Sequence, residues 1–413
     1  MYYLHSSISS DTPLASWVQT EKAQSRLQST KFRHTCGVIT TILEVNEAVV
    51  HFAEKIDATL IVVGDLKTNH SEWNQFQNKY KHSVVYLSPE TQKSMRFKIL
   101  KYVPWNHFGR KSIGFIYAVS QGCKAIFDFD DDNHLTFNSF GDMRSWKLGE
   151  VKPIKPISQA IHVYNPYMHF LPTNSSFIWP RGFPLQFIQD KRTYGDNSSD
   201  FMFRAINESF ESMAIIQSLA DHDPDVDAIY RMTRPLPVSF DAQNEILLLD
   251  RGVYTPWNAQ AVLVTEAAFF GLLLPVTVTG RVSDIWRSYI TTRLLWETKY
   301  RLGFTSSFVT QYRNPHSYMK DFVDESDLYN KVDKLLEVLA TWTSHGHVKL
   351  DSAYIDIITR LARCGILASG DVTLAKAWVA DLQRLGYVWP AFNHRFSEQT
   401  ISSASIVDQR HLG

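Results

Sequence analysis

Three cysteines in 413 residues are too few and too scattered for a disulfide framework or a metal knuckle. Cys36, Cys123 and Cys364 stand far apart, with no C-x-x-C spacing. They fit a reducing compartment, or buried thiols acting as small hydrophobes. Net charge is lacking too: 42 Lys and Arg balance 42 Asp and Glu. That balance excludes a dedicated polyanion binder, nucleic acid included, because counterion release needs a basic surface. A local basic groove is compatible with it. Long apolar runs are also absent. No stretch approaches the ~18 uninterrupted apolar residues of a membrane span. The first thirty residues hold no apolar core of signal-peptide length. The longest run, AAFFGLLLPV (267–276), contains Pro275 and reads as buried core. The chain is therefore expected to be soluble, with no membrane span.

What is present is an alternation. CGVITTI (36–42), ATLIVVGD (58–65), SVVYLS (83–88) and KAIFDFDDDN (124–133) are short apolar runs without polar alternation. That is the texture of parallel strands covered on both faces. Between them lie helix-length stretches at 46–56, 71–80 and 110–122, the last closed by Gly122. Strands alternating with helices imply an α/β fold with an open, mostly parallel, Rossmann-like sheet flanked by helices. Residues 150–200 are rich in Pro, Asn, Gly and aromatics and read as a long functional loop. From about 325 the pattern is helical, with Gly365 and Gly386 as stops. The expected organisation is a polar arm (1–35), a sheet domain (36–320), a C-terminal helical module (321–392) and a polar tail (393–413).

Ligands of open α/β sheets bind beyond the carboxyl ends of the strands. Those ends carry Asp65 and Lys67, then Ser88, then an acidic cluster. Asp128, Asp130, Asp131 and Asp132 would repel one another and raise each other's pKa if unpaired. A hard divalent cation, Mn2+ or Mg2+, relieves that by taking one or two carboxylates plus phosphate oxygens and water. An acidic loop capping the next helix is the plainer alternative. Two enzyme classes resemble this pattern. GT-A glycosyltransferases use Asp-X-Asp to hold a metal and a nucleotide-sugar diphosphate. Haloacid-dehalogenase-like phosphatases end a strand in Asp-X-Asp-X-Thr, which would make Asp128 a nucleophile. Asp132 stands where that motif wants Thr. Arg110 and Lys111, opening a helix just before the cluster strand, suit the first class, since a basic pair at a helix start can neutralise a diphosphate.

VVGDLKT (62–68), VVYLS (84–88), RKSIGFIYAVSQG (110–122), AIFDFDDDN (125–133), NPYMHF (165–170), WPRGFPL (179–185), PDVDAIYRMTR (224–234), FFGLLLPVTV (269–278) and SDIWRSYITTRLLWE (283–297) occur in this order. Together they resemble the STELLO-type glycosyltransferases, related to the reversibly glycosylated polypeptides. The resemblance runs from about 36 to about 345. It implies a GT-A fold, a UDP-linked or other nucleotide-diphosphate sugar donor, and a glycan or other hydroxyl acceptor. Golgi lumen is the implied compartment, with cytoplasm as runner-up, and an oligomer is compatible with it. A non-catalytic nucleotide-sugar-binding scaffold on the same fold is a further alternative.

The expected roles follow. Asp65 and Lys67 face the nucleoside and a phosphate; Arg110 and Lys111 face the diphosphate. Asp130 and Asp131 contact ribose and metal, and Asp132 is the first-choice metal ligand with Asp130 and His316. Trp179 stacks on a sugar ring and Arg181 pairs with phosphate. Asp284 acts as base on the acceptor hydroxyl, oriented by Arg287, or is only a helix N-cap. Asp225 and Asp227 are rivals for that acceptor site.

Overall fold

The computed structural model describes residues 32–392 except 138, 155–160, 176, 195–199, 314–315 and 345–348. The expected polar arm up to residue 31 and the expected tail lie outside the described residues. Four apolar runs form strands β1 (Thr35–Thr41), β2 (Thr59–Gly64), β3 (Val84–Leu87) and β4 (Ala125–Phe129). They lie in the order β3-β2-β1-β4, all parallel. Between them come α1 (Glu47–Lys55), α2 (His70–Lys79), α3 (Pro89–Ser94) and α4 (Lys111–Ser120). Leu60 to Val63 of β2 are fully buried, as both-face coverage requires. Each such side chain gains about 1.5–3 kcal/mol on leaving water. Asn46 and Ser88 start α1 and α3 by accepting the amides of Val49 and Thr91.

The remaining strands are β5 (Asn133–Leu135), β6 (Lys147–Pro153), β7 (His162–Val163), β8 (Phe201–Ile206), β9 (Met213–Asp221), β10 (Glu245–Leu249), β11 (Val253–Tyr254), β12 (Ala261–Thr265) and β13 (Arg301–Gln311). The large sheet continues β4-β12-β9-β13-β10-β6-β8, with β5 paired to β13. β12 runs antiparallel to both β4 and β9, and β13 runs parallel to β9. The carboxyl ends of β4, β9 and β13 therefore share one edge with the start of β12. That geometry gathers chain segments 130, 223–227, 259–260 and 311–313.

The other helices are α5 (Pro166–His169), α6 (Ala228–Thr233), α7 (Gly280–Leu295), α8 (Tyr318–Asp324), α9 (Ser326–Ala340), α10 (Leu350–Arg363) and α11 (Ser369–Arg384). This is the expected α/β, GT-A-like architecture: a mostly parallel, mixed sheet flanked by helices, with helices at the C-terminal end. Gly365 and Gly386 end α10 and α11 at φ 73°, a left-handed conformation that costs other residues energy. The C-terminal helices share the core of the sheet: Leu335, Ile357 and Trp378 are buried in the same cluster as Val38 and Ile126. Trp378 also donates its indole N–H to the Phe270 carbonyl at 2.9 Å.

One expectation is corrected. Cys36 and Cys123 are a disulfide, with Cα atoms 6.0 Å apart, not separate buried thiols. The cause is the sheet. β1 pairs with β4 so that Cys36 lies opposite Ile126, three residues from Cys123. Cys364 is free.

Candidate active site

An open cleft of about 370 Å³ lies where those strand ends meet, a size suited to a small-molecule ligand. Asp130, Arg181, Asp225, Arg281, Asp284, Arg313 and Lys320 line it, with Phe108, Ala259, Gln260, Gly280 and Asp324. Four expected site residues, Asp130, Arg181, Asp225 and Asp284, are thus brought together from four distant parts of the chain.

Arg181 organises them. Its guanidinium donates to Asp225 from Nε at 2.8 Å and Nη2 at 2.9 Å, and to Asp284 from Nη1 at 3.1 Å and Nη2 at 2.8 Å. The loop carrying it is pinned from both sides. Arg181 N donates to the Asp225 carbonyl, and the Tyr289 hydroxyl donates to the Gly182 carbonyl. Gly182 is required there, since a Cβ would meet Ile285 of α7 at 2.4 Å, and its φ is 80°. Arg181 holds the Asp225 carboxyl down at about 2 despite the burial that opposes it. Asp225 is thereby an acceptor of hydrogen bonds and unfit as a base at neutral pH. Asp284 lies one turn inside α7, whose N-cap is Thr279, so the N-cap reading is corrected. Its Oδ2 also accepts the Ala259 amide at 3.1 Å.

The acidic cluster divides in two. Asp128 is fully buried, 2.6 Å from Lys111 Nζ and 2.8 Å from Arg287 Nη1. It cannot reach a substrate, which removes the nucleophile the phosphatase reading needs. Two expectations fall with it. Arg287 serves Asp128 rather than orienting Asp284, and Lys111 is a buried counter-ion that also donates to the carbonyls of Phe129 and Ala259. Arg110 is likewise turned inward, away from any diphosphate. It donates to Val103 O and Gln92 and stacks 3.5 Å from the Trp105 ring.

Asp130, Asp131 and Asp132 are only partly covered. Burial, with repulsion from its neighbours partly offset by Lys111, pushes the Asp130 carboxyl up to about 7. Burial pushes Asp131 up to about 6, although the Thr41 hydroxyl donates to it. Asp132 is raised by burial as well and accepts from Gln311 Nε2 at 3.1 and 3.2 Å. Crowded carboxylates that resist ionisation are a hard-oxygen donor set that fits Mg2+ or Mn2+. Among the described residues, no three His, Cys, Asp or Glu side chains converge as a ready metal cage. His316 is not brought to the cluster; it pairs with Asp321 at 3.0 Å.

The other expected residues are placed as follows. Asp65 is buried, and its oxygens accept the amides of Leu66, Asn106 and His107, so it shapes the loop leading to Phe108. Lys67 is exposed beyond the end of β2. Trp179 is buried and donates to Asp227 at 2.7 Å, with its ring edge-on to Tyr230. Sugar stacking on Trp179 is corrected by that burial. Asp227 is the N-cap of α6 and is buried outside the cleft lining.

Sequence reading missed Gln311, Arg313, Arg281 and Lys320. The strand-end rule that found Asp130 would have found the first two had β13 been delimited. It also missed Tyr312, 56% exposed and flanked by His222 and His134.

Comparison with known proteins finds likeness to one group of glycosyltransferases. Residues 281–411 match the family of STELLO glycosyltransferases. Two curated Arabidopsis thaliana proteins are similar over 320 residues, 74% of this chain. "Probable glycosyltransferase STELLO2" is 32% identical and "Probable glycosyltransferase STELLO1" 30% identical. The matched stretches are 40% and 39% of those proteins, so the chain spans about two fifths of the length of these relatives. Over the sequence it shares with them, the chain is similar to the STELLO glycosyltransferases.

Proposed function

We propose that the chain transfers a sugar from a nucleotide-diphosphate donor, UDP-linked, to a hydroxyl acceptor such as a glycan, with Mn2+ or Mg2+. The observation that carries this reading is the cleft itself. At the carboxyl ends of β4, β9 and β13 it sets partly covered carboxylates beside cationic side chains. Asp130 and Asp132 would hold the cation. Bound there, it would neutralise charge developing on the departing diphosphate. The likeness to STELLO glycosyltransferases supports the reaction class, and the names of the relatives carry it no further than glycosyl transfer.

The chain's own residues supply position. Arg181 fixes Asp284 and Asp225 in the cleft lining, and we assign Asp284 to the acceptor hydroxyl. Lys67, exposed at the end of β2, is assigned to the nucleotide side. Tyr312 takes the sugar-stacking role once given to Trp179, because its ring is open to solvent. The disulfide suits an oxidising compartment, in line with a Golgi lumen.

Turnover of a panel of UDP-, GDP- and CMP-sugars, read as released nucleotide, tests the reading. Release from a UDP-sugar that needs a divalent cation and is cut at least 100-fold by Asp284→Asn supports it. Release that ignores both changes contradicts it.

A further inference from the structure

Arg313 differs from every other cation in the cleft. Arg181 is spent on Asp225 and Asp284, Arg281 is paired with Glu325, and Lys320 lies 2.7 Å from Asp324. Arg313 has one carboxylate within ion-pair reach among the described residues, Asp223 at 3.8 Å. That carboxylate is already taken by Arg231 at shorter range. The Arg313 Nε is buried with no hydrogen-bond partner among the described residues. Only 15% of its side chain is exposed, and what is exposed faces the cleft.

A buried guanidinium whose Nε–H has no acceptor is costly, because its lost hydration is not replaced. Burial, with Arg231 and Arg281 nearby, pulls its pKa down to about 10, so it is still charged at neutral pH. The carboxylates beside it are engaged elsewhere, Asp223 by Arg231 and Asp225 by Arg181. An anion in the cleft would supply the acceptors that Arg313 lacks. The planar fork of a guanidinium suits paired oxygens of a phosphate or a carboxylate.

We propose that Arg313 is a direct anchor for a diphosphate, gripping its oxygens with paired N–H donors and holding the anion without a divalent cation. The assignment rests on the donor reading above and names the residue on which that donor's diphosphate settles. Arg313 lies at the end of β13, two residues beyond the Gln311 that holds Asp132. One strand end thus positions both the acidic and the basic side of the site.

Calorimetry on the full chain in EDTA separates this from the metal-dependent reading. Inorganic pyrophosphate is titrated into wild type, Arg313→Gln, Arg313→Lys and a control, Arg192→Gln, whose side chain is exposed and paired outside the cleft. Glucuronate is titrated in parallel as a carboxylate. Wild type and the control bind pyrophosphate, Arg313→Gln binds at least tenfold more weakly, and Arg313→Lys falls between. The melting temperature of Arg313→Gln is equal to or above wild type, since no partner is orphaned; a purely structural arginine would lower it. Absence of pyrophosphate binding in EDTA, or equal binding by Arg313→Gln, overturns the proposal. So does glucuronate binding as tight as pyrophosphate. UDP with Mn2+ is run beside these: if it binds wild type and Arg313→Gln alike, the donor reading stands and the Arg313 anchor falls.

Discussion

At the scale of single residues, neighbouring aspartates are given opposite tasks by what surrounds them. Asp225 and Asp227 are two positions apart. Arg181 pulls the first down to about 2, while burial pushes the second up to about 6 against the amide of Tyr230 and the indole of Trp179. The sign of the consequence differs. Asp225 contributes stability that is present above its ordinary value of 3.8 and is lost as pH falls toward 2. Asp227, raised when folded, makes the protein less stable as pH rises from about 4 to about 6. An upward displacement of about two units corresponds to about 3 kcal/mol. Asp227→Asn removes the titration and keeps an oxygen for the α6 cap. Urea unfolding at pH 4 and pH 7 should therefore show the variant gaining up to about 3 kcal/mol relative to wild type on going to pH 7. Parallel profiles would refute the assignment.

Between elements, the buried ion pairs tie the site to the fold. Asp128 on β4 meets Lys111 of α4 and Arg287 of α7, all at most 2% exposed. Asp128→Asn keeps the shape and strands two buried cations, so it should cost about 3–5 kcal/mol in chemical unfolding. A loss under 1 kcal/mol would mean the three charges are hydrated. This triad also marks where sequence reading reaches and where it stops. β1 to β4 and α1, α2 and α4 were legible, because apolar runs of strand length and glycine stops are local signals. So were Asp130 and Asp132, since the strand-end rule needs only a strand end. Lys111 and Asp128 are 17 positions apart, and Arg287 is 159 from Asp128. Nothing local distinguishes a cation that turns inward from one facing a diphosphate. The same reason hid Arg313. β9, β10, β12 and β13 lie in a stretch of mixed texture, and without their order the edge that gathers 130, 225, 284 and 313 cannot be drawn.

Across the whole molecule, the disulfide and the C-terminal helices make the sheet one cooperative body. Cys36 and Cys123 close a loop of 87 residues that spans β1 to α4. A loop of that size implies about 4–5 kcal/mol from restricting the unfolded chain. Alkylation of the unfolded chain should modify one thiol, Cys364, before reduction and three after it. Dithiothreitol should lower the melting temperature by several degrees. Three thiols reactive without reductant would show that the pair is open. α11 reinforces the same body through buried carboxylates. Asp371 accepts the Val276 and Thr277 amides just before α7, and Asp381 accepts the Ile99 amide. The helices therefore brace the segment that delivers Asp284 to the cleft.

The central claim is that a neutral chain carries a local opposition of charge suited to a cation and a diphosphate. Calorimetry of UDP with and without Mn2+, on wild type and Asp132→Ala, tests it most directly. The account predicts UDP binding that Mn2+ strengthens at least tenfold in wild type and leaves unchanged in the variant. Binding indifferent to Mn2+ in wild type, or an equal response to Mn2+ in Asp132→Ala, would contradict it.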